Sequence, residues 1–231
     1  MIERVSSLKF KSISTHFRLQ LADEREERLA RNISLMTKMY LESERQFLEF
    51  NNIVPYIGNG DSVYSPRLVT MLQGIGSQID GMLKIISDIV SIQPERQTFP
   101  SYIEALNRSE MLSKQHILLR DNTSELIFPF CMIPDGDNLA WWKAYNDTKH
   151  GLPEGAYSGK YGNVINALAA LAILHEIAAA AKRWHMYRNL IIDPTCWHSQ
   201  PLLTGVSMSS FAAEYSGVFH YVMLFAPNRS G

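Results

Sequence analysis

The residues best equipped for chemistry lie in one run, Trp141-Trp142-Lys143-Ala144-Tyr145-Asn146-Asp147-Thr148-Lys149-His150. Wound as a helix at about 100° per residue, it brings Lys143 and His150 within roughly 20° of each other, with Asn146 and Asp147 about 60° and 40° to either side. An ammonium, a carboxamide, a carboxylate and an imidazole then share one face. Such a set can hold an anion and move a proton near neutral pH, because imidazole titrates there and lysine supplies a compact positive charge. Lys149, Asp147 and Tyr145 are candidate binding residues beside it, and the Trp141, Trp142 and Tyr145 rings can anchor the helix in a core. Each residue also has a plainer role. His150 can satisfy a helix-end carbonyl, Lys143 and Lys149 can be solvated, and Asn146 can fix the following loop. The helix C-terminus favours protonated His150 and burial opposes it, so composition alone gives no direction.

The elements that must position this face can be read from periodicity and turn chemistry. The run 139–150 is expected as a short helix, opened by the capping residues of Asp135-Gly136-Asp137-Asn138 and stopped by Gly151 and Pro153. A long helix is expected over 163–187, rich in alanine and so open to close approach by a neighbour. A first helix over 23–50 carries Leu29, Ile33, Met36, Tyr40, Phe47 and Phe50 on one stripe. Pro55, Gly58, Asn59 and Gly60 make the next stretch a loop, and Pro66 suits the first turn of a helix over 66–92. There Leu68, Leu72, Ile75, Ile79, Met82, Ile86 and Ile89 alternate spacings of four and three, a heptad seam expected to pack nearly antiparallel to the first helix. Gly74, Gly76 and Gly81 each weaken that helix by up to about 1 kcal/mol, which close packing would offset. A helix is expected over 101–118 and a buried loop or edge strand over 126–133. The region 191–231 is open between a helix, a hairpin and a partner-binding tail.

Composition narrows the function classes. A chain of 231 residues with 46% apolar content can bury a sizeable core, and a formal net charge of -1 gives no global pull toward nucleic acid, so any such contact needs a local basic patch. The two cysteines, Cys131 and Cys196, form no CxxC pair. His175-Glu176 lacks the second histidine that a zinc-protease helix needs, and Cys196-Trp197-His198 puts neighbouring side chains on diverging vectors. Gly58-Asn59-Gly60 precedes no lysine and is a turn, whereas Lys182-Arg183-Trp184-His185 with Arg188 suits either a solvated helix end or an RNA grip. No metal and no cofactor are expected. The start of the chain alternates polar and apolar residues, and the 167–181 stretch is alanine-rich and interrupted, so a cytoplasmic location without a membrane span is expected.

The pattern Trp-Trp, Tyr-Asn, Lys-His over 141–150, followed by the small-residue helix Asn163-Val164-Ile165-Asn166-Ala167-Leu168-Ala169-Ala170-Leu171, resembles HEPN-like proteins. The resemblance covers about 35 residues strongly; the long helices before it agree at the level of architecture. It implies an all-α, HEPN-like helical bundle over 1–190 with a short irregular or edge-strand insertion, and a C-terminal extension over 191–231. It also implies a module of a prokaryotic toxin–antitoxin or antiviral defence system, working as a homodimer with a cognate partner protein, RNA or a nucleotide. The family's catalytic motif is an arginine, a polar residue and, after four to six intervening residues, a histidine. His150 matches the histidine, Lys143 stands where an arginine belongs, Ala144 replaces the polar residue, and Asn146 is its nearest substitute. Lysine lacks the planar fork that grips phosphate at two points, so the resemblance points to a non-catalytic module. The alternatives are a metal-independent endoribonuclease with His150 as general acid or base and Lys143 and Asn146 on the phosphate, and a helical scaffold.

Overall fold

A computed structural model describes residues 3–56, 58–60, 63–90, 93–107, 112–113, 115–119, 126–131, 139–190 and 219–223. Of the interpretable part, 74% is helical and 5% is strand, which makes the fold all-α. Helix α1 spans Glu3–Asn51, α2 Pro66–Val90 and α3 Phe99–Asn107; strands β1 (His116–Leu119) and β2 (Leu126–Ile127) follow, then α4 (Ala140–His150), a 3-10 turn over Glu154–Ser158, α5 (Tyr161–Leu190) and β3 (Phe219–Met223).

The seam expected on α2 is its buried face. Leu68, Leu72, Ile75, Ile79, Met82 and Ile86 are fully buried and Ile89 nearly so. At about 25 cal/mol per Å2, fully burying such side chains stabilises by about 1.5–3 kcal/mol each, so this stripe is a main source of bundle stability. Helix α2 runs antiparallel to α1: Arg67 Nη2 donates to Glu49 Oε2 at 2.8 Å near one end, and Arg25 Nη2 to the Asp88 carbonyl at 2.8 Å near the other. Its larger contact is with α5, which fills the centre of the bundle. Two of the three α2 glycines meet a neighbour: a Cβ at Gly76 would overlap the Tyr145 ring, and one at Gly81 would lie 3.2 Å from Met36 Cε. Nothing lies within 4 Å of a Cβ at Gly74, so packing does not explain that glycine.

Around α5, Ala167, Ala169, Ala170 and Ala172 are all fully buried, as are Leu168, Leu171, Ile173 and Leu174. The small-residue face therefore serves packing within one chain. By length and composition the segment Tyr161–Ala178, mean hydropathy 1.3, could cross a membrane; 83% of it is buried inside the protein, as befits the core helix of a bundle.

Two boundaries differ most from expectation. Helix α1 begins at Glu3 instead of near 23, with neither proline nor glycine in 3–22 to break it. The helix expected to 118 ends at Asn107, whose Oδ1 accepts from the Leu112 and Ser113 amides, and 116–119 is a strand. Residues 126–127 form an edge strand in the antiparallel order β2-β1-β3, with Ile117 opposite Ile127 and Val222. A strand from the C-terminal region thus completes the sheet that follows α3. The 51–65 loop keeps its turn chemistry, with Gly58 and Gly60 at φ +88° and +37°, where a side chain would be strained.

Candidate functional site

Helix α4 is held by three aromatic rings and a threonine. The Trp141 indole donates to the Pro129 carbonyl at 2.7 Å and meets Phe99 edge-on at 5.7 Å, while Trp142 stacks on Phe99 at 3.6 Å and 13°. Tyr145 is buried against Gly76 of α2, and Thr148, also buried, donates to the Tyr145 carbonyl at 2.8 Å. Gln73 of α2 donates to the Thr148 carbonyl at 2.7 Å, fixing the last turn. Leu139 precedes the helix without a side-chain cap, its carbonyl accepting from Trp142 and Lys143, and the expected capping residues 135–138 lie outside the described residues. Gly151 ends the helix as expected, donating to the Asp147 carbonyl at 2.9 Å. Gly155, whose amide donates to the Gly151 carbonyl at 2.7 Å, packs so close to the Asp147 carbonyl that a Cβ there would overlap it.

With this face inward, the opposite one meets water. Lys143, Lys149 and His150 are exposed, and Asn146 and Asp147 are half-buried. Lys143 Nζ lies 2.7 Å from Asp147 Oδ2, which also accepts from Ser158 Oγ at 3.3 Å. The Lys143 charge is therefore engaged by a carboxylate on its own helix. His150 sits two turns further on, roughly 10 Å along the axis at 1.5 Å per residue, with Asp147 in between. Lys149 Nζ stands 5.4 Å from the Tyr145 ring centroid, a cation–π contact, and together with Lys84 it opposes the burial that raises the Asp80 carboxyl above the usual range. Tyr145, a candidate binding residue, is a core anchor that presents its ring to Lys149. The helical face proposed from sequence exists; its groups form one ion pair, one half-buried amide and one free-standing imidazole at the helix end.

Sequence reasoning missed a second collection of polar groups. Tyr40, Ser43 and Glu44 of α1, Gln78 of α2, and His175 and Glu176 of α5 are all buried inside the bundle. Tyr40 Oη donates to Glu44 Oε1, Gln78 Nε2 donates to Ser43 Oγ at 2.8 Å, and the Tyr40 and His175 rings lie 5.2 Å apart. Burial holds the His175 imidazole down at about 4, against an ordinary 6.5, so it is neutral at physiological pH. The signal was in the α1 stripe, where Tyr40 and Phe47 are seven apart and the core positions between them are Ser43 and Glu44. Among the described residues, no three His, Cys, Asp or Glu side chains are grouped to hold a metal ion. Cys131 is an exposed free thiol; Cys196, Trp197 and His198 lie outside the described residues.

No family model matches the chain, and comparison with curated proteins and with solved structures returned no match.

Proposed function

We propose that the chain is a HEPN-like module of a prokaryotic defence or toxin–antitoxin system, non-catalytic and cytoplasmic, acting as a homodimer that binds a partner protein or a nucleotide through the exposed face of α4. The observation that carries this reading is the 2.7 Å pair between Lys143 and Asp147. A phosphate clamp needs an uncommitted cation beside its acid or base; here the lysine already faces a carboxylate, and lysine lacks the bidentate grip of arginine. A rigid, solvated face carrying Lys143, Asn146, Asp147, Lys149 and His150 suits recognition better than turnover. The alanine face of α5 gives the dimer no support, since it is filled within the chain.

The alternative, a metal-independent endoribonuclease, draws on one observation, the exposed imidazole of His150 at the end of α4. Two experiments test the proposal. Light scattering at micromolar concentration is expected to give twice the chain mass, and a clean monomer would contradict the dimer. Freeing the lysine and restoring the fork, in Asp147→Asn combined with Lys143→Arg, is expected to create no RNA turnover; cleavage gained in that double variant would turn the reading into a weakened nuclease.

A further inference from the structure

Asn59-Gly60 is the sole Asn-Gly pair in the sequence. In an open chain such a pair reacts with itself, because the glycine nitrogen, unshielded by any Cβ, attacks the side-chain carbonyl carbon of the asparagine. The carboxamide C–N bond then breaks, ammonia leaves, and the five-membered succinimide adds water to give aspartate or isoaspartate. In the fold both reacting groups are held elsewhere. Asn59 Nδ2 donates to the Pro55 carbonyl at 2.7 Å, and the Gly60 amide donates to the Tyr56 carbonyl at 2.9 Å. Asn59 and Gly60 are half-buried and nothing lies within 4 Å of a Cβ at Gly60, so water reaches the pair. The turn is anchored on the start of α5. The Tyr161 hydroxyl is within donating distance of Asn51 Oδ1, at 2.9 Å, and of the Val54 carbonyl, at 3.1 Å. The Tyr56 amide donates to the same Asn51 Oδ1 at 2.9 Å, and the Tyr56 ring meets that of Tyr161 edge-on at 5.2 Å.

We propose that Asn59-Gly60 is a site of spontaneous deamidation that the fold holds shut, opened only when Tyr56 and Asn59 leave their native contacts. The hydrogen bond at the Gly60 amide must break before its nitrogen can lose a proton and attack, and the one at Asn59 Nδ2 must break before the side-chain carbon can swing toward it. Local opening of the turn therefore precedes the chemistry. The product cannot rebuild the lock. Its carboxylate has no N–H for the Pro55 carbonyl, and in isoaspartate the backbone runs through the former side chain and is one carbon longer. The change runs one way, and it adds a negative charge to the turn that Tyr161 anchors.

The test is peptide mapping by mass spectrometry of the full chain, incubated at mildly alkaline pH in buffer and in guanidinium. In guanidinium Asn59 is expected to convert, gaining the mass of water minus ammonia, at least about tenfold faster than in the folded chain. Gly60→Ala, compared in guanidinium, should slow the conversion sharply, because a Cβ hinders ring closure. Tyr161→Phe removes the hydroxyl that holds the turn, so it should raise the rate in buffer severalfold and leave the rate in guanidinium unchanged. Asn59→Asp stands in for the product and should melt below the parent. No conversion at Asn59 in guanidinium, or Gly60→Ala converting as fast as the parent there, overturns the site; equal rates in the two solvents overturn the lock. A folded Tyr161→Phe that converts like the parent overturns the anchoring by α5, and Asn59→Asp melting like the parent overturns the one-way change. Should Tyr161→Phe fail to fold, the parent's rates in the two solvents decide alone.

Discussion

His150 and His175 lie in opposite surroundings. His150 is exposed at the last residue of α4, on a helix whose other side is anchored by Trp141, Tyr145 and Thr148. His175 is 3% exposed, packed on the Tyr40 ring in a stretch of α5, 167–176, that is buried throughout, and held neutral. An amphipathic helix delivers its polar groups to solvent, where they can meet a ligand; a core helix fixes them among neighbours, where they specify packing. The interior of α1, α2 and α5 therefore governs stability and acid sensitivity, and the α4 surface is the proposed place of recognition.

The sharpest break in that division would come from the interior. Ile79→Asp places a carboxylate in the fully buried seam of α2, and denaturant unfolding should show a loss of about 4 kcal/mol or more; a variant that unfolds like the parent would mean the seam is not the core. The next effect is acid. An unfolded chain protonates His175 near pH 6.5 and the folded one near 4, so this contribution is complete above pH 6.5 and is lost as the pH falls toward 4, by about 3 kcal/mol. Denaturant unfolding at pH 7 and 4.5 should therefore show a steeper fall in the parent than in His175→Gln, and parallel falls would remove His175 as the cause.

The contact between the two regions gives a smaller effect. Gly76→Ala pushes a methyl into the Tyr145 ring, and although alanine favours helix by about 1 kcal/mol, overpacking should prevail and lower stability by about 1–3 kcal/mol in a thermal melt. A more stable Gly76→Ala would show that α4 can shift away from α2. On the surface, Lys143→Ala removes a pair whose side chains are 69% and 36% exposed, and with lysine preceding aspartate the orientation is the weaker one. Its effect on stability should stay under about 0.5 kcal/mol, and a larger one would make the pair structural.

The α2 seam and the end of α4 were legible because local rules decide them: apolar residues at helical spacing from Leu68 to Ile89, and a glycine at 151 that accepts the helix end. Strand β1 was not. His116-Ile117-Leu118-Leu119 has no alternation to mark it, and its partners are Leu126–Ile127 and the distant Phe219–Met223, pairings that no local window contains. The alanines of α5 signalled close approach correctly but could not say whether the neighbour was this chain or another. For the candidate face, helical spacing gave the arrangement; the lysine's engagement by Asp147 depends on a rotamer.

The central claim is that His150 sits on a recognition surface and not in a nuclease, and RNA turnover tests it most directly. Purified protein and His150→Ala would be incubated with a mixed RNA pool, with and without a chelator. The account predicts no cleavage above background in either protein, with an unchanged melting temperature for the exposed His150 substitution. Cleavage by the parent that persists in chelator and falls by about 10²-fold or more in His150→Ala, the usual loss for a general acid or base, would contradict it.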